Sequence, residues 1–310
     1  MKNQKVNTLN KTWVICILAS ICCLLWGSAF PCIKIGYKIF RISSDDSTTQ
    51  ILFAGLRFIL AGIITIIFGS ISNKKLLVPS KKSIPKIIIL SIFQTILQYL
   101  FFYIGLAHTS GTKASVINSS GVFLCIFITG AVFRLEKIRI NDIVGSLIGF
   151  SGVILINMNG LSSDITLIGD GFIFLCSLSY AFSSVCMKKF SSEFNPVMMS
   201  GYQFLFGGIV MTAIGIITGG KIETVTSNGI LMLVYLAFVS GTAYSLWAVL
   251  LKNNPVSKVA VFGFFNPVFG VILSAILLHE NEQFGIKGLI SLVLVCIGII
   301  IVNMKDKKLS

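Results

Sequence analysis

Residues 112–157 read TKASVINSSGVFLCIFITGAVFRLEKIRINDIVGSLIGFSGVILIN, and residues 257–303 read SKVAVFGFFNPVFGVILSAILLHENEQFGIKGLISLVLVCIGIIIVN. Each stretch begins near a lysine, runs through about 20 mostly apolar residues to a glutamate, and crosses a polar break into a second apolar run. Both end in asparagine, and equivalent residues lie 145 or 146 positions apart in a chain of 310. A chain that repeats at half its own length is best analysed as two halves.

The composition is that of a polytopic membrane protein. Hydrophobic residues make up 55% of the chain, charged residues make up 12%, and the mean hydropathy is +0.92. Apolar runs of about 20 residues are long enough to cross the hydrocarbon core of a bilayer as helices. The predicted spans are 13–33, 50–71, 86–107, 113–133, 141–158, 168–187, 197–218, 230–250, 257–278 and 285–303.

The repeat extends over all of these spans. Gly62 in the second span aligns with Gly208 in the seventh, and Tyr99 in the third aligns with Tyr244 in the eighth. The repeating unit is therefore five spans. Because five is odd, the second unit must enter the bilayer from the opposite side.

We therefore predict an all-α integral membrane protein with ten transmembrane helices, arranged as two inverted five-helix repeats. The first repeat occupies residues 1–158 and the second occupies residues 159–310. The first span, 13–33, is too long for a signal-peptide core and lacks a small-residue cleavage site, so we expect it to be retained.

The loop charges favour the same inversion. The loop between spans two and three is rich in lysine, whereas the matching loop between spans seven and eight carries only Lys221 and Glu223. Its lysines are Lys74, Lys75, Lys81, Lys82 and Lys86. Since cationic loops stay on the cytoplasmic side, we expect both termini in the cytoplasm and the protein in the plasma membrane. This rule also explains the net charge of +14, so no nucleic-acid partner is expected.

Several motifs resemble a known family. LLWGSAFPCIK (24–34), LRFILAG (56–62), TKASVI (112–117) and the run 136–156 are similar to the EamA type of the drug/metabolite transporter superfamily, and the second half repeats the pattern. The resemblance implies an alternating-access carrier of small metabolites, often an exporter, and does not imply one substrate. The acidic stretch HENEQFG departs from the usual Gly-Glu turn of the family.

Polar and aromatic residues within the spans are the candidate substrate contacts, because inverted repeats place binding sites near the bilayer midplane. Arg57 is the most costly of them, about eight residues or ~12 Å from the end of its span. Its repeat equivalent is the neutral Gln203. The full candidate set is Trp26, Ser28, Arg57, Gln94, Gln98, Tyr99, Asn118, Ser119, Tyr180, Gln203, Tyr244, Trp247 and Asn266.

Each candidate also has a structural interpretation. Arg57 could bond backbone carbonyls or a tyrosine instead of an anionic substrate, and the aromatic residues could fill gaps between helices. As a set, these residues favour a polar, aromatic-lined cavity suited to an amino acid or another small zwitterion or xenobiotic. The G-x-x-x-G pairs Gly145/Gly149 and Gly215/Gly219 permit helix packing or homodimerisation. Pro31 and Pro267 could supply kinks for gating or be ordinary membrane-helix prolines.

Residues and motifs that the sequence lacks argue against several classes of function. No carboxylate lies in the middle of a predicted span, so proton coupling through a buried acid is not supported. Asp142 and Asp170 at helix starts, and Glu136 and Glu282 in turns, are typical of helix caps. With no catalytic motif and no metal-type cysteine spacing, we expect no enzyme, no metal and no cofactor. The alternatives are a channel or scaffold subunit and, less favoured, an intramembrane enzyme.

Overall fold

The computed structural model describes residues 8–158, 166–278 and 285–304, and it confirms the ten predicted spans. The ten long helices are numbered here in chain order. They are α1 Thr12–Phe40, α2 Ser47–Ser72, α3 Ile84–Leu106, α4 Gly111–Val132, α5 Ile140–Asn157, α6 Leu167–Phe190, α7 Pro196–Ile217, α8 Ser227–Asn253, α9 Val256–Leu277 and α10 Gly285–Asn303.

α1 is longer than the apolar run that predicted it. It continues through Lys34 and Lys38 to Phe40, since lysine is a good helix former and only hydropathy ends at residue 33. It stops at Arg41, which has a left-handed backbone with φ 57°, and the next amide, that of Ile42, donates to the carbonyl of Tyr37 at 2.8 Å. This is the usual backbone closure of a helix C-terminus. α1 passes through Pro31 as continuous helix.

Three spans contain irregular turns. α3 has a π-helical segment at Ser91–Leu97, and α4 has one at Ile128–Val132. α9 has a 3-10 segment at Val261–Phe264, just ahead of Pro267. Segments of this kind are frequent at functional sites and hinges in membrane helices.

The helix pairing has an approximate two-fold symmetry. α1 packs against α8 and α9, and the repeat-equivalent α6 packs against α3 and α4. α2 packs against its own equivalent α7, and α5 packs against its own equivalent α10. The two halves are therefore interleaved, and the α2/α7 and α5/α10 pairs lie between them.

The α2/α7 contact runs antiparallel with backbone touching backbone. Gly62 faces Leu205, so that a Cβ atom added to Gly62 would lie 2.6 Å from the Leu205 nitrogen. Gly208, the repeat equivalent of Gly62, faces Ile59 in the same way, and its added Cβ would lie 2.6 Å from the Ile59 nitrogen. Because equivalent helices run in opposite directions with matching contacts, the inverted repeat is confirmed.

The α5/α10 contact uses the G-x-x-x-G spacing within the chain. A Cβ atom on Gly145 would lie 2.6 Å from the carbonyl oxygen of Gly298, and one on Gly298 would lie 2.7 Å from the nitrogen of Gly149. In the other pair, Gly215 packs equally closely on the backbone of Leu52. Close helix approach inside one molecule thus accounts for Gly145, Gly149 and Gly215. Gly219 makes no such contact, since it follows the end of α7 with a φ of 95° and an added Cβ atom there would meet nothing within 4 Å.

Carboxylates close the helix ends, as the sequence predicts. Glu136, between α4 and α5, accepts the Val256 amide at the start of α9 with both oxygens, at 2.8 and 2.9 Å. Burial raises the pKa of Glu136. Asp142 accepts the Arg139 amide at 2.9 Å and pairs with the Arg139 guanidinium, which also donates to the Val302 carbonyl of α10 at 2.8 Å.

A third carboxylate bonds neighbouring segments at the start of α6. Asp170, in the first turn of α6, pairs with Lys113 of α4 at 2.6 Å and accepts the Thr109 hydroxyl at 2.8 Å. It also accepts the amide of Thr166 at 2.9 Å. Glu282, the fourth predicted cap, lies outside the described residues.

Candidate functional site

Six aromatic side chains from five helices meet between the two halves and form the central aromatic cluster. Its members are Trp26 of α1, Phe58 of α2, Tyr99 of α3, Phe204 of α7, and Tyr244 and Trp247 of α8. Phe58 and Phe204, which are repeat equivalents, stack with ring centroids 5.2 Å apart and planes 7° from parallel. This stack lies beside the glycine-lined crossing of α2 and α7.

The tyrosines follow the same symmetry. Tyr99 contacts Phe58 at 4.5 Å between centroids, and its equivalent Tyr244 contacts Phe204 at 5.0 Å. The two tyrosine hydroxyls form a hydrogen bond of 3.3 Å with each other. The cluster therefore connects α2 and α3 of the first repeat with α7 and α8 of the second.

The tryptophans close one side of the cluster. Trp26 makes edge contacts with Tyr244 and with Trp247, each at 5.0 Å between centroids. The indole Nε1 of Trp26 is buried without a hydrogen-bond partner. Two residues further along α1, the Ser28 hydroxyl donates to the Leu25 carbonyl at 2.8 Å and forms a 2.9 Å hydrogen bond with the Tyr235 hydroxyl.

Arg57 is buried against the cluster, with 3% of its surface exposed. Its guanidinium carbon lies 4.4 Å from the ring centroid of Phe58 and 5.6 Å from that of Tyr99. Its Nε has no hydrogen-bond partner. No carboxylate in the described part of the chain forms an ion pair with Arg57. Nε thus donates to neither a carbonyl nor a tyrosine, and the guanidinium packs on the rings of Phe58 and Tyr99.

Three glutamines bring further polar atoms to the interior. Gln203 accepts the Thr95 hydroxyl at 2.6 Å through Oε1, while its Nε2 has no partner. Gln98 donates to the Tyr244 hydroxyl at 3.3 Å, while its Oε1 has no partner. Gln94 is 3% exposed, and its Oε1 also lacks a partner. Gln94 and Thr95 both lie on the π-helical segment of α3.

The remaining candidates lie elsewhere. Asn118 accepts the Ser177 hydroxyl at 3.2 Å at the contact of α4 with α6, and Ser119 donates to the Ser115 carbonyl at 2.9 Å on its own helix. Tyr180 packs against Gly121 of α4, in the same α4/α6 contact. The Oδ1 atom of Asn266 is buried without a partner. The contacts thus connect six candidates directly: Trp26, Arg57, Gln98, Tyr99, Tyr244 and Trp247.

Sequence reasoning did not select Phe58 and Phe204, although their rings form the centre of the cluster. Each directly follows a candidate, Arg57 or Gln203, and the two align with each other in the repeat. An identical aromatic residue at equivalent positions of two helices that cross on the symmetry axis is the signal that could have found them. Because phenylalanine has no polar side-chain atom, these two residues were not distinguished from the other phenylalanines of the chain, which has 25.

The geometry favours recognition of a small solute rather than a permanent pore. Tyr244 and Trp247 are 5% and 2% exposed and the Phe58/Phe204 stack is fully buried, whereas Trp26 and Tyr99 are partly exposed, so the cluster has a buried centre and no open passage through that centre. Aromatic faces offer apolar surface and attract cations, whereas Arg57 offers a fixed positive charge to an anion.

Comparison with known proteins agrees with this architecture. The model of the EamA-like transporter family matches residues 13–158 and 167–304, which are the two repeats. The chain belongs to the EamA-like transporter family. It is therefore a multi-pass membrane transporter.

Individual EamA relatives are similar along nearly the whole chain. An uncharacterized transporter, YvbV of Bacillus subtilis (strain 168), is 25% identical over 302 residues, which cover 96% of this chain and 94% of the relative. A probable amino-acid metabolite efflux pump of Escherichia coli (strain K12) is 25% identical over 284 residues, covering 86% and 87%.

One solved crystal structure supports the fold. It superposes with a TM-score of 0.75 at 15% identity, covering 93% of this chain and 96% of the solved one. At that identity the likeness concerns the fold alone.

Proposed function

We propose that this protein exports a small amino-acid-like metabolite across the plasma membrane by alternating access. The observation that carries the proposal is the buried cluster at the antiparallel α2/α7 crossing. A site enclosed between two inverted halves can open to one side or the other when the halves rock against each other. The similarity to a probable amino-acid metabolite efflux pump supports an amino-acid-like substrate and outward transport.

Counterflow in liposomes tests the carrier mechanism. Purified protein is reconstituted with L-leucine, L-phenylalanine or L-threonine inside, and uptake of the same radiolabelled amino acid is followed. A carrier gives saturable uptake that is stimulated by the unlabelled solute on the opposite side. A channel would give uptake without stimulation, and the absence of any protein-dependent uptake across the panel would contradict an amino-acid substrate.

Export is tested in cells. Overexpression should lower the intracellular accumulation of the transported amino acid and raise tolerance to its toxic analogue. Cells expressing an unrelated multi-pass membrane protein to the same level are the control for expression burden. Increased accumulation with the wild type would reverse the proposed direction.

We also propose that both termini lie in the cytoplasm, and the supporting observation is the lysine-rich α2–α3 loop. In a background without the eight cysteines, Lys81→Cys and Glu223→Cys place single thiols on equivalent, exposed loops. A membrane-impermeant maleimide added to intact cells should label position 223 and spare position 81. The opposite pattern would invert the proposed orientation.

A further inference from the structure

Arg57 is a membrane-buried cation whose counter-charge is not supplied by the described chain. The seven described carboxylates all lie in connections or within the first turn of a helix. They are Asp45, Asp46, Glu136, Asp142, Asp170, Glu193 and Glu223. Arg57, by contrast, lies well inside α2. A buried charge is costly unless it is paired, so Arg57 has a strong preference for an anion.

The rings beside Arg57 compensate only part of this cost. Phe58 lies 4.4 Å from the guanidinium carbon and Tyr99 lies 5.6 Å from it, distances at which an aromatic face attracts a cation. These contacts cover the flat faces of the guanidinium but do not accept its N–H hydrogens. The edge donors, with Nε among them, are the groups that match a carboxylate.

Other unpartnered polar atoms surround the same cluster. Two are donors, the Nε2 of Gln203 and the Nε1 of Trp26, and two are acceptors, the Oε1 atoms of Gln94 and Gln98. Each belongs to a side chain that contacts the cluster or lies on the helices that form it. Buried polar atoms in proteins are nearly always hydrogen-bonded. Gln98 and Trp26 contact Tyr244 of the cluster, and Gln94 and Gln203 lie on α3 and α7, which contribute Tyr99 and Phe204 to it. A polar solute bound at the cluster would satisfy such atoms.

We infer that Arg57 binds a carboxylate of the transported molecule, which must therefore carry a negative charge on that group. The inference rests on the proposed function and deepens it by giving the substrate an orientation. The carboxylate lies at Arg57, and the amine donors of an amino acid bond the amide oxygens of Gln94 and Gln98 and lie against the aromatic faces. A molecule without the carboxylate leaves Arg57 unpaired and is rejected.

The test compares acids with their amides. Wild type, Arg57→Gln and Arg57→Lys are placed in nanodiscs, and binding is followed by tryptophan fluorescence, since Trp26 and Trp247 both lie in the cluster. The probes are L-leucine against L-leucinamide and benzoate against benzamide. Arg57→Gln is the matched variant because it makes the two halves identical at this position, and Lys38→Gln removes an exposed cation at the end of α1 as a control.

We expect the wild type to prefer each acid to its amide and Arg57→Gln to lose that preference by about tenfold or more. Arg57→Lys should retain part of the preference, and Lys38→Gln should retain all of it. Size-exclusion profiles of all four proteins report folding. Equal preference in wild type and a well-folded Arg57→Gln would overturn the inference while leaving transport intact. If Arg57→Gln fails to fold, loss of preference in Arg57→Lys supports the inference and unchanged affinities for all four probes overturn it.

The experiments distinguish failure of the amino-acid exporter from failure of the contact between Arg57 and a carboxylate. Counterflow of amino acids with no acid preference retains the exporter and overturns the carboxylate contact. Arg57-dependent binding of benzoate without counterflow of any amino acid retains the contact and overturns the amino-acid exporter. Absence of both counterflow and acid binding overturns both.

Discussion

The two helices α2 and α7 have almost the same backbone environment and different chemistry. Gly62 and Gly208 occupy equivalent places, and each allows the opposite helix to approach within the space of one side chain. Five residues earlier the symmetry ends, since Arg57 on α2 is matched by Gln203 on α7. Arg57 lies on aromatic rings, whereas Gln203 accepts a hydrogen bond from Thr95.

The comparison distinguishes movement of the two halves from recognition of the solute. Because α2 and α7 make matching contacts with each other, the two inverted halves can exchange their inward-facing and outward-facing arrangements, as alternating access requires. A binding site for one solute has no such need, because an asymmetric solute is recognised by asymmetric groups. We therefore propose that the glycines serve the movement of the halves and that Arg57 serves the recognition of the solute.

The largest expected effect comes from breaking the symmetric crossing. Gly62→Leu places a side chain where a single Cβ atom would already lie 2.6 Å from the Leu205 nitrogen. Since backbone cannot move aside cheaply, we expect most of the monodisperse protein to be lost, with Gly208→Leu equally damaging. Yield after size-exclusion chromatography is the measurement.

A glycine on α6 provides the control for that substitution. A Cβ atom at Gly171 would meet nothing within 4 Å, so Gly171→Ala should leave the yield unchanged or slightly raise the stability, by about 0.4–1 kcal/mol. If Gly62→Leu were as well folded as Gly171→Ala, the close crossing of α2 and α7 would not hold the halves together.

A second prediction moves the cation from one half to the other. In the double variant Arg57→Gln with Gln203→Arg, the new arginine lies beside Phe204 and Tyr244, the equivalents of the rings that hold Arg57. We expect the preference for acids over amides, lost in Arg57→Gln alone, to return to within about tenfold of wild type. The nanodisc titrations described above measure it.

The outcome of the swap sharpens the comparison. Recovery would mean that the scaffold is symmetric enough to present a charge from either half. A folded double variant that behaves like Arg57→Gln would mean that Thr95 and its π-helical segment make the second half unsuitable, so that the asymmetry includes the backbone.

The smallest expected effect concerns the caps of the same two helices. The Asp46 carboxylate caps α2 by accepting the Thr49 amide at 3.0 Å, and the Asn195 amide oxygen caps α7 by accepting the Val197 amide at 2.9 Å. Burial acts to raise the pKa of Asp46, but the hydrogen bonds from Thr49 and Thr48 outweigh it, so the pKa lies below its ordinary value.

A lowered pKa means that Asp46 stabilises the protein above the ordinary carboxyl pKa of about 4 and ceases to do so as the pH falls through the lowered value. We expect Asp46→Ala to cost about 1 kcal/mol at neutral pH and progressively less in acid. Asn195→Ala should cost a similar amount at every pH, because its cap does not titrate. Thermal unfolding in detergent between about pH 7 and pH 3 tests this, and parallel pH profiles for the two variants would contradict it.

The sequence predicts the framework of this protein well for physical reasons. Ten apolar runs must become helices because the bilayer leaves backbone groups no other partner, and the loop lysines record the inversion. The length of α1 beyond residue 33 could not be predicted from hydropathy, since Lys34 and Lys38 are polar but helix-forming. The π-helical and 3-10 segments have no local signal in composition.

The site was only partly predictable. Arg57, Tyr99 and Tyr244 stand out because polar atoms within a membrane span are rare and because the tyrosines repeat. Asn118 satisfies the same criteria, yet its hydrogen bond is to Ser177 at the α4/α6 contact. Helical periodicity gives the face of a residue on its own helix but not which neighbour that face meets, and tertiary packing decides the latter.

The π-helical turn of α3 determines the direction in which the later side chains of α3 point around the helix axis. A wide turn of this kind takes up one surplus residue without breaking the helix, and the first half does contain one more residue than the second between α2 and Tyr99. Deleting a residue from Ser91–Leu97 would return α3 to ordinary pitch and swing Gln98 and Tyr99 by about 100°. Tyr99 would then turn away from Tyr244, so the wide turn of α3 is what brings the two tyrosines together.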